Sequence, residues 1–98
     1  METARKEIRT ASPAVTAELF GAADMNMRCV ESAFGVTVHT PGAKSMADGD
    51  NTLVITGDIP ECVNMAEKTL NILAAMAQKN GTLTEQNVLY VISMVRDG

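Results

Sequence analysis

The chain has 98 residues, of which 46% are apolar and 20% are charged, and its net charge is −4. A chain of this length has room for one core, so we expect a single domain over residues 1–98. No segment reaches the roughly 18 apolar residues of a membrane span, and the polar start lacks the apolar stretch of a signal peptide, so the sequence argues against a membrane protein and predicts a cytoplasmic location.

The N-terminal segment has the pattern of an edge strand. Arg5, Glu7 and Arg9 would share one face of an extended chain, where charged side chains discourage aggregation. Together with Lys6, the two arginines form the only basic cluster in an acidic sequence. The strong positive field of a dedicated nucleic-acid-binding protein is therefore missing.

Two helices separated by a glycine turn come next. Ser12 and Pro13 predict the first start, because Ser accepts from an unpaired N–H and Pro has no N–H to leave unpaired. Gly21 should end that helix after Phe20, and Asp24 can cap the second helix. The second helix should end at Gly35 and bury Met27, Val30 and Phe34.

Two short strands follow the second helix. Alternation predicts that each strand turns one face to the core. In the first strand the core-facing residues would be Val36 and Val38, on either side of Thr37, and in the second they would be Leu53 and Ile55, on either side of Val54. Between them, residues 40–51 are rich in Pro, Gly and Asp, which favours turns and predicts a mobile loop.

The last part of the chain predicts two helices. Asp58 and Glu61 have the spacing of a capping box for a helix over about residues 59–79. Thr84 should cap a final helix after Gly81, with Leu83 packing on its first turn. The predicted buried positions are Val63, Ala66, Leu70, Leu73 and Ala77 in the long helix, and Val88, Val91 or Ile92, and Val95 in the final one.

The predicted elements give an α+β fold with a three-stranded antiparallel sheet packed on helices. Their order, βααββα plus a C-terminal helix, is the minimal order of a KH-like domain of type I. The turn between the first two helices, at residues 21–24, occupies the position of the KH nucleic-acid-binding loop.

Several short motifs, in order and spacing, resemble the N-terminal domain of PhoH-like proteins, the phosphate starvation-inducible family. They span about residues 10–95 and are Leu19-Phe20-Gly21, Asp24, Asn26, Glu31, Gly35-Val36-Thr37-Val38, Ile55-Thr56-Gly57-Asp58, Val63, Ala66-Glu67, Leu70, Leu73, Leu83-Thr84 and Val88. The resemblance implies a KH-like module that precedes a P-loop ATPase domain. It also implies a role in RNA metabolism, including maturation of ribosomal RNA alongside an endoribonuclease.

The chain departs from that family in two respects. It has no GxxxxGK[ST] motif, so we expect no ATPase activity or cofactor here, with ATP and Mg²⁺ held by the family's separate ATPase domain. The chain stops at Gly98, about where that domain would follow, and we expect an excised domain or a truncated natural product. The loop over residues 40–50 is also longer than is typical of the family.

The candidate nucleic-acid site is the turn between the first two helices. KH domains hold the sugar-phosphate backbone with a GxxG loop, but here an acid replaces the second glycine. The start of the second helix still offers N–H groups to an anion, provided that the Asp24 side chain does not occupy them. The candidate residues are Gly21, Ala22, Ala23, Asp24, Asn26 and Arg28. The structural alternative is that Asp24 only caps the helix and Asn26 only ties down the turn.

A metal or catalytic site has less support. His39 is the only histidine and would lie near Asp48 and Asp50, but one His and two loop carboxylates are not a specific metal signature. Cys29 and Cys62 lack metal or redox spacing, so we interpret them as small buried apolar residues.

Two functions are therefore compatible with the sequence. The first is an accessory RNA-binding domain that contacts single-stranded RNA weakly beside a C-terminal ATPase domain. The alternative is a protein-interaction module that docks on the ATPase domain or forms a homo-oligomer. Four methionines that lie partly outside the predicted core favour the alternative, namely Met25, Met46, Met65 and Met94.

Overall fold

The structure, a computed structural model, describes residues 3–40 and 52–98. These residues form β1 (Ala4–Arg9), α1 (Pro13–Phe20), α2 (Met25–Phe34), β2 (Thr37–His39), β3 (Thr52–Gly57), α3 (Pro60–Asn80) and α4 (Glu85–Asp97), with a tight turn, Ala22–Asp24, before α2. The expected α+β class is confirmed. The predicted mobile loop lies outside the described residues except for Thr40. Over the part that is described, no helix is long and apolar enough to cross a membrane.

The sheet has the strand order β1-β3-β2, and both pairs are antiparallel. The last strand in sequence is therefore the central one, and β1 is an edge strand as predicted. Arg5, Glu7 and Arg9 are exposed on it, and Arg5 Nη1 lies 2.7 Å from Glu7 Oε2. Because both side chains are more than half exposed, this ion pair adds at most about 1 kcal/mol to stability.

The core lies between one face of the sheet and the helices. Helix α3 is its centre, because it packs on β1 and β3 and also contacts α1, α2 and α4. The predicted buried positions of α2, α3 and α4 are confirmed: Met27, Val30, Phe34, Val63, Ala66, Leu70, Leu73, Ala77, Val88, Val91, Ile92 and Val95. Helical spacing in the sequence therefore identified the packed face of each of these helices.

The alternation expected in β3 does not describe its burial. Leu53 and Ile55 face the core, as predicted, but Val54 on the opposite face is also only 1% exposed. Val54 lies in the central strand and is paired with Glu7 on one side and His39 on the other. Alternation determines the face of the sheet on which a residue lies, but it does not determine whether that face is exposed. In a central strand, residues on both faces can be buried.

The start of α3 differs from the prediction. Pro60 is the first helical residue, and Ile59 is the N-cap, with φ −114° and ψ 113° and no side-chain capping bond. Proline suits the first helical position and forces the preceding residue out of the helical region. The predicted capping box between Asp58 and Glu61 is therefore wrong.

The other two helix starts agree with the predictions. Ser12 Oγ accepts a hydrogen bond from the Val15 N–H at 3.3 Å, at the start of α1. Thr84 Oγ1 accepts from the Asn87 N–H, and Asn87 Oδ1 accepts from the Thr84 N–H, both at 3.1 Å. The start of α4 is therefore a reciprocal capping box.

The two cysteines are free thiols and are half-buried, not fully buried as expected. Each precedes a core residue on its helix, Cys29 before Val30 and Cys62 before Val63. A residue one step along a helix from the buried stripe lies at the margin of that stripe. Both cysteines pack against the core from this position.

Candidate functional site

The turn between α1 and α2 is tight and exposed. Gly21 ends α1 with φ 76° and ψ −178°, and its N–H donates to the Ala17 carbonyl at 3.0 Å. Ala23 and Asp24 then adopt left-handed conformations, with φ of 54° and 60°. The side chains of residues 22–24 are exposed. The tip of the predicted nucleic-acid site is therefore accessible.

Asn26 fixes the turn to the end of α1. Its Nδ2 donates to the Glu18 carbonyl oxygen at 3.2 Å. A Cβ atom at position 21 would lie 2.6 Å from Asn26 Nδ2, so only glycine leaves room for this side chain. The structural role expected for Asn26 is confirmed, and Gly21 is required for space as well as for its backbone conformation.

The prediction that the Asp24 side chain caps α2 is wrong. Asp24 occupies the N-cap position, but its side chain makes no capping hydrogen bond. A capping residue normally has extended backbone, from which its side chain reaches back to the first-turn N–H groups. Asp24 has φ 60° and ψ 23° instead. Its carboxylate therefore does not occupy the N–H groups at the start of α2.

A cleft of about 330 Å³ lies beside the turn, between the α1–α2 corner and the start of α4. Three of the candidate residues, Gly21, Ala22 and Asn26, line it. Glu18 and Glu85 also line it, and the described lining contains no basic side chain. Carboxylates oppose phosphate binding here, so an anion would have to approach from the exposed tip of the turn.

Arg28 does not line this cleft but lies in the neighbouring groove, which shares Met25 and Cys29 with the cleft. That groove, of about 500 Å³, lies between α2 and α4, and its lining is Met25, Arg28, Cys29, Ser32, Ala33, Leu89, Ile92 and Arg96. We call this the α2–α4 groove. The structure therefore brings together five of the six candidate residues at the turn and its cleft, and places Arg28 one helical turn away with Arg96.

The methionines divide between surface and core. Met25 and Met94 are exposed, as the interaction hypothesis expected. Met65 is half-buried and packs against the core, so it fills space there. Met46 lies outside the described residues.

Of the residues considered for a metal or base site near His39, Asp48 and Asp50 lie outside the described residues. His39 itself is exposed at the end of β2. Within residues 3–40 and 52–98, no three His, Cys, Asp or Glu side chains are grouped so that they could hold a metal ion.

Two features of this region were not predicted from the sequence. Glu18 Oε2 accepts a hydrogen bond from the Leu83 N–H at 2.8 Å and so joins α1 to the α3–α4 connection. Leu89 and Arg96 face the same groove as Arg28. Their spacing of seven residues places them on one side of a helix, but nothing local predicts that α4 packs beside α2.

The Asp24 side chain leaves the start of α2 uncapped, but the Met25 N–H donates to the Ala22 carbonyl within the turn. An anion at the turn would therefore have to bind the N–H groups that follow Met25, and Arg28 lies one helical turn further on. The cleft offers carboxylates and so suits cations or hydrogen-bond donors. Comparisons of the chain with models of protein families, with curated proteins and with solved structures found no match.

Proposed function

We propose that the chain is a KH-like accessory domain that binds single-stranded RNA through the α1–α2 turn. The order β1, α1, α2, β2, β3, α3 supports this proposal, as does the exposed turn between the two helices. In this proposal a separate P-loop ATPase domain holds ATP and Mg²⁺. The contribution of this chain is to position RNA.

The observation that carries the proposal is that the Asp24 side chain does not cap α2, so that beyond the Met25 N–H, which donates to the Ala22 carbonyl, no carboxylate occupies the first turn. An Asp24 carboxylate bonded to the first-turn N–H groups would exclude a phosphate from them, and no such bond is present. Helix N-termini bind anions through these N–H groups and the helix dipole. The exposed Arg28 adds a positive charge one turn further along α2.

The charges around the turn predict weak binding. Asp24 is exposed at the tip, Glu18 and Glu85 line the adjacent cleft, and the net charge is −4. The turn offers contacts for about two phosphates, and single strands lose affinity with a salt slope of about −0.7 per phosphate. Raising salt from about 50 to about 200 mM should then weaken binding roughly sevenfold.

An amide NMR titration with a short mixed-sequence single-stranded RNA tests the proposal. We expect shifts at residues 21–28 that shrink as salt rises. Asp24→Asn removes the repelling charge, and asparagine tolerates the left-handed conformation, so this variant should bind about two- to fivefold more tightly at low salt. Absence of shifts at low salt, where electrostatic attraction is greatest, would refute RNA binding.

A matched pair of charge deletions gives the control. Arg28→Gln should weaken RNA binding, because Arg28 follows the turn on α2. Arg9→Gln removes the same charge from the edge strand β1 and should change affinity much less. Equal losses in the two variants would mean that only net charge matters and that the turn is not the site.

A further inference from the structure

The α2–α4 groove exposes apolar side chains where a helix facing solvent normally carries polar ones. Met25 is 55% exposed and Leu89 is 50% exposed, and both line the groove with Cys29 and Ile92. Methionine and leucine side chains on a surface are suited to contact with a partner, and methionine adapts to varied shapes.

The charge in the groove is opposite to that of the whole protein. Arg28 on α2 and Arg96 on α4 both line it, and the remaining lining residues are neutral. Neither arginine has an ion pair among the described residues. Asp97 lines a smaller depression next to the groove, together with Arg96 and Leu89, and is not among the described residues that line the groove itself. An acidic chain thus presents two unpaired guanidinium groups beside an apolar strip.

We propose that the α2–α4 groove binds a short amphipathic helix of a partner protein that carries acidic residues beside its apolar side. From Met25 to Ser32 the groove follows two turns of α2, about 10 Å, which matches about two turns of a bound helix. The partner's apolar residues would contact Met25 and Leu89, and its carboxylates would reach the two arginines.

The same charges argue against two other occupants. A second copy docked symmetrically would bring the same patch against itself and place arginines near arginines. Single-stranded RNA is usually bound by aromatic side chains that stack on bases, and the lining of this groove is aliphatic and sulfur-containing.

The test uses two designed helical peptides of about 14 residues, with leucines at positions i, i+3, i+4 and i+7. One peptide has glutamates beside the leucines and the other has lysines at the same positions. In amide NMR titrations of the full 98-residue chain, the glutamate peptide should shift residues 25–33 and 89–96. The lysine peptide should bind at least about fivefold more weakly.

A charge reversal tests the role of the arginines. Arg96→Glu should lower the affinity for the glutamate peptide about fivefold and raise that for the lysine peptide. Lys68→Glu makes the same change at an exposed site on α3 outside the groove and should leave the peptide preference unchanged. If Arg96→Glu fails to fold by circular dichroism, Leu89→Ser replaces it and should weaken both peptides.

Three results would overturn the proposal. The first is equal binding of the two peptides or shifts outside the groove. The second is concentration-dependent mass in sedimentation with shifts on this face, which would assign the groove to a second copy. The third is that RNA shifts residues 29–33 and 89–96 of the groove, beyond the turn, while the peptides shift neither segment. Arg96 and Leu89 are not part of the α1–α2 turn, so failure of RNA binding at the turn leaves this proposal standing.

Discussion

Replacing Gly21 by alanine should destabilise the protein strongly, for two separate reasons. Its φ of 76° with ψ of −178° belongs to a region populated almost only by glycine, which costs about 1–3 kcal/mol for another residue. The new Cβ would also lie 2.6 Å from Asn26 Nδ2 and break the hydrogen bond to Glu18, worth about 1 kcal/mol. Together these effects predict a loss of about 2–4 kcal/mol in the free energy of unfolding.

Urea denaturation measures this loss directly, and Gly35→Ala is the matched control. Gly35 also has a positive φ, 65°, but a Cβ there would meet nothing within 4 Å. Gly35→Ala should therefore lower the free energy of unfolding only by about 1 kcal/mol, the penalty for placing a residue other than glycine in the left-handed conformation. A double-mutant cycle with Asn26→Ala separates the clash from the backbone strain, because the clash needs both side chains. The coupling should be about 1 kcal/mol, with the double variant more stable than the sum of the single losses predicts.

Two results would refute this reasoning. If Gly21→Ala costs no more than Gly35→Ala, the close approach of Asn26 does not constrain the turn. If the cycle is additive within about 0.3 kcal/mol, Asn26 and Gly21 act independently. In either case the tight turn proposed to present backbone N–H groups to RNA would have a different geometry in solution.

Three further predictions concern the fold around the site. Thr84→Ala removes the hydroxyl that caps α4 and should cost about 1 kcal/mol in urea denaturation; an unchanged midpoint would contradict the capping role. Glu18→Ala should lower the free energy of unfolding by about 1–3 kcal/mol and speed hydrogen exchange of the Leu83 amide. Glu18→Gln keeps an acceptor and should lower the free energy of unfolding less. Unchanged protection of the Leu83 amide in both variants would contradict the hydrogen bond. Thr69→Val should change the free energy of unfolding by under about 1 kcal/mol, because the buried hydroxyl bonds only within its own helix. Leu73→Ala should lower it by about 3–5 kcal/mol, because it leaves a cavity in the core. Similar losses in the two variants would contradict the prediction that apolar packing at Leu73 matters more than the Thr69 hydroxyl.

The sequence predicted the elements well where the signal is local. Helical spacing identified the buried faces of α2, α3 and α4, because a helix must bury its apolar stripe whichever neighbour covers it. Ser12 and Thr84 were recognised as caps because the capping bond forms within one helical turn. The start of α3 was misplaced by one residue, since Pro60 had a stronger effect than the spacing of Asp58 and Glu61.

The site was predicted less completely, because its properties depend on contacts between distant segments. Asp24 has its left-handed conformation within a turn that the Asn26 bond ties to the end of α1, and residue type alone does not specify that conformation. The bond from the Leu83 amide to Glu18 joins positions 65 residues apart. The shared groove of Arg28 and Arg96 likewise depends on how α2 and α4 pack, which no short motif records.

The central position of β3 has a consequence for how the protein folds. Both strand pairs of the described sheet contain β3, so neither pair can form until the chain has been synthesised into the Thr52–Gly57 strand. Ala4 must then find Gly57, a contact of high sequence separation, and such contacts slow folding. During translation β1 therefore has no strand partner while α1 and α2 are being synthesised. Charged side chains on a strand discourage pairing with other chains, and β1 exposes three of them on one face, Arg5, Glu7 and Arg9.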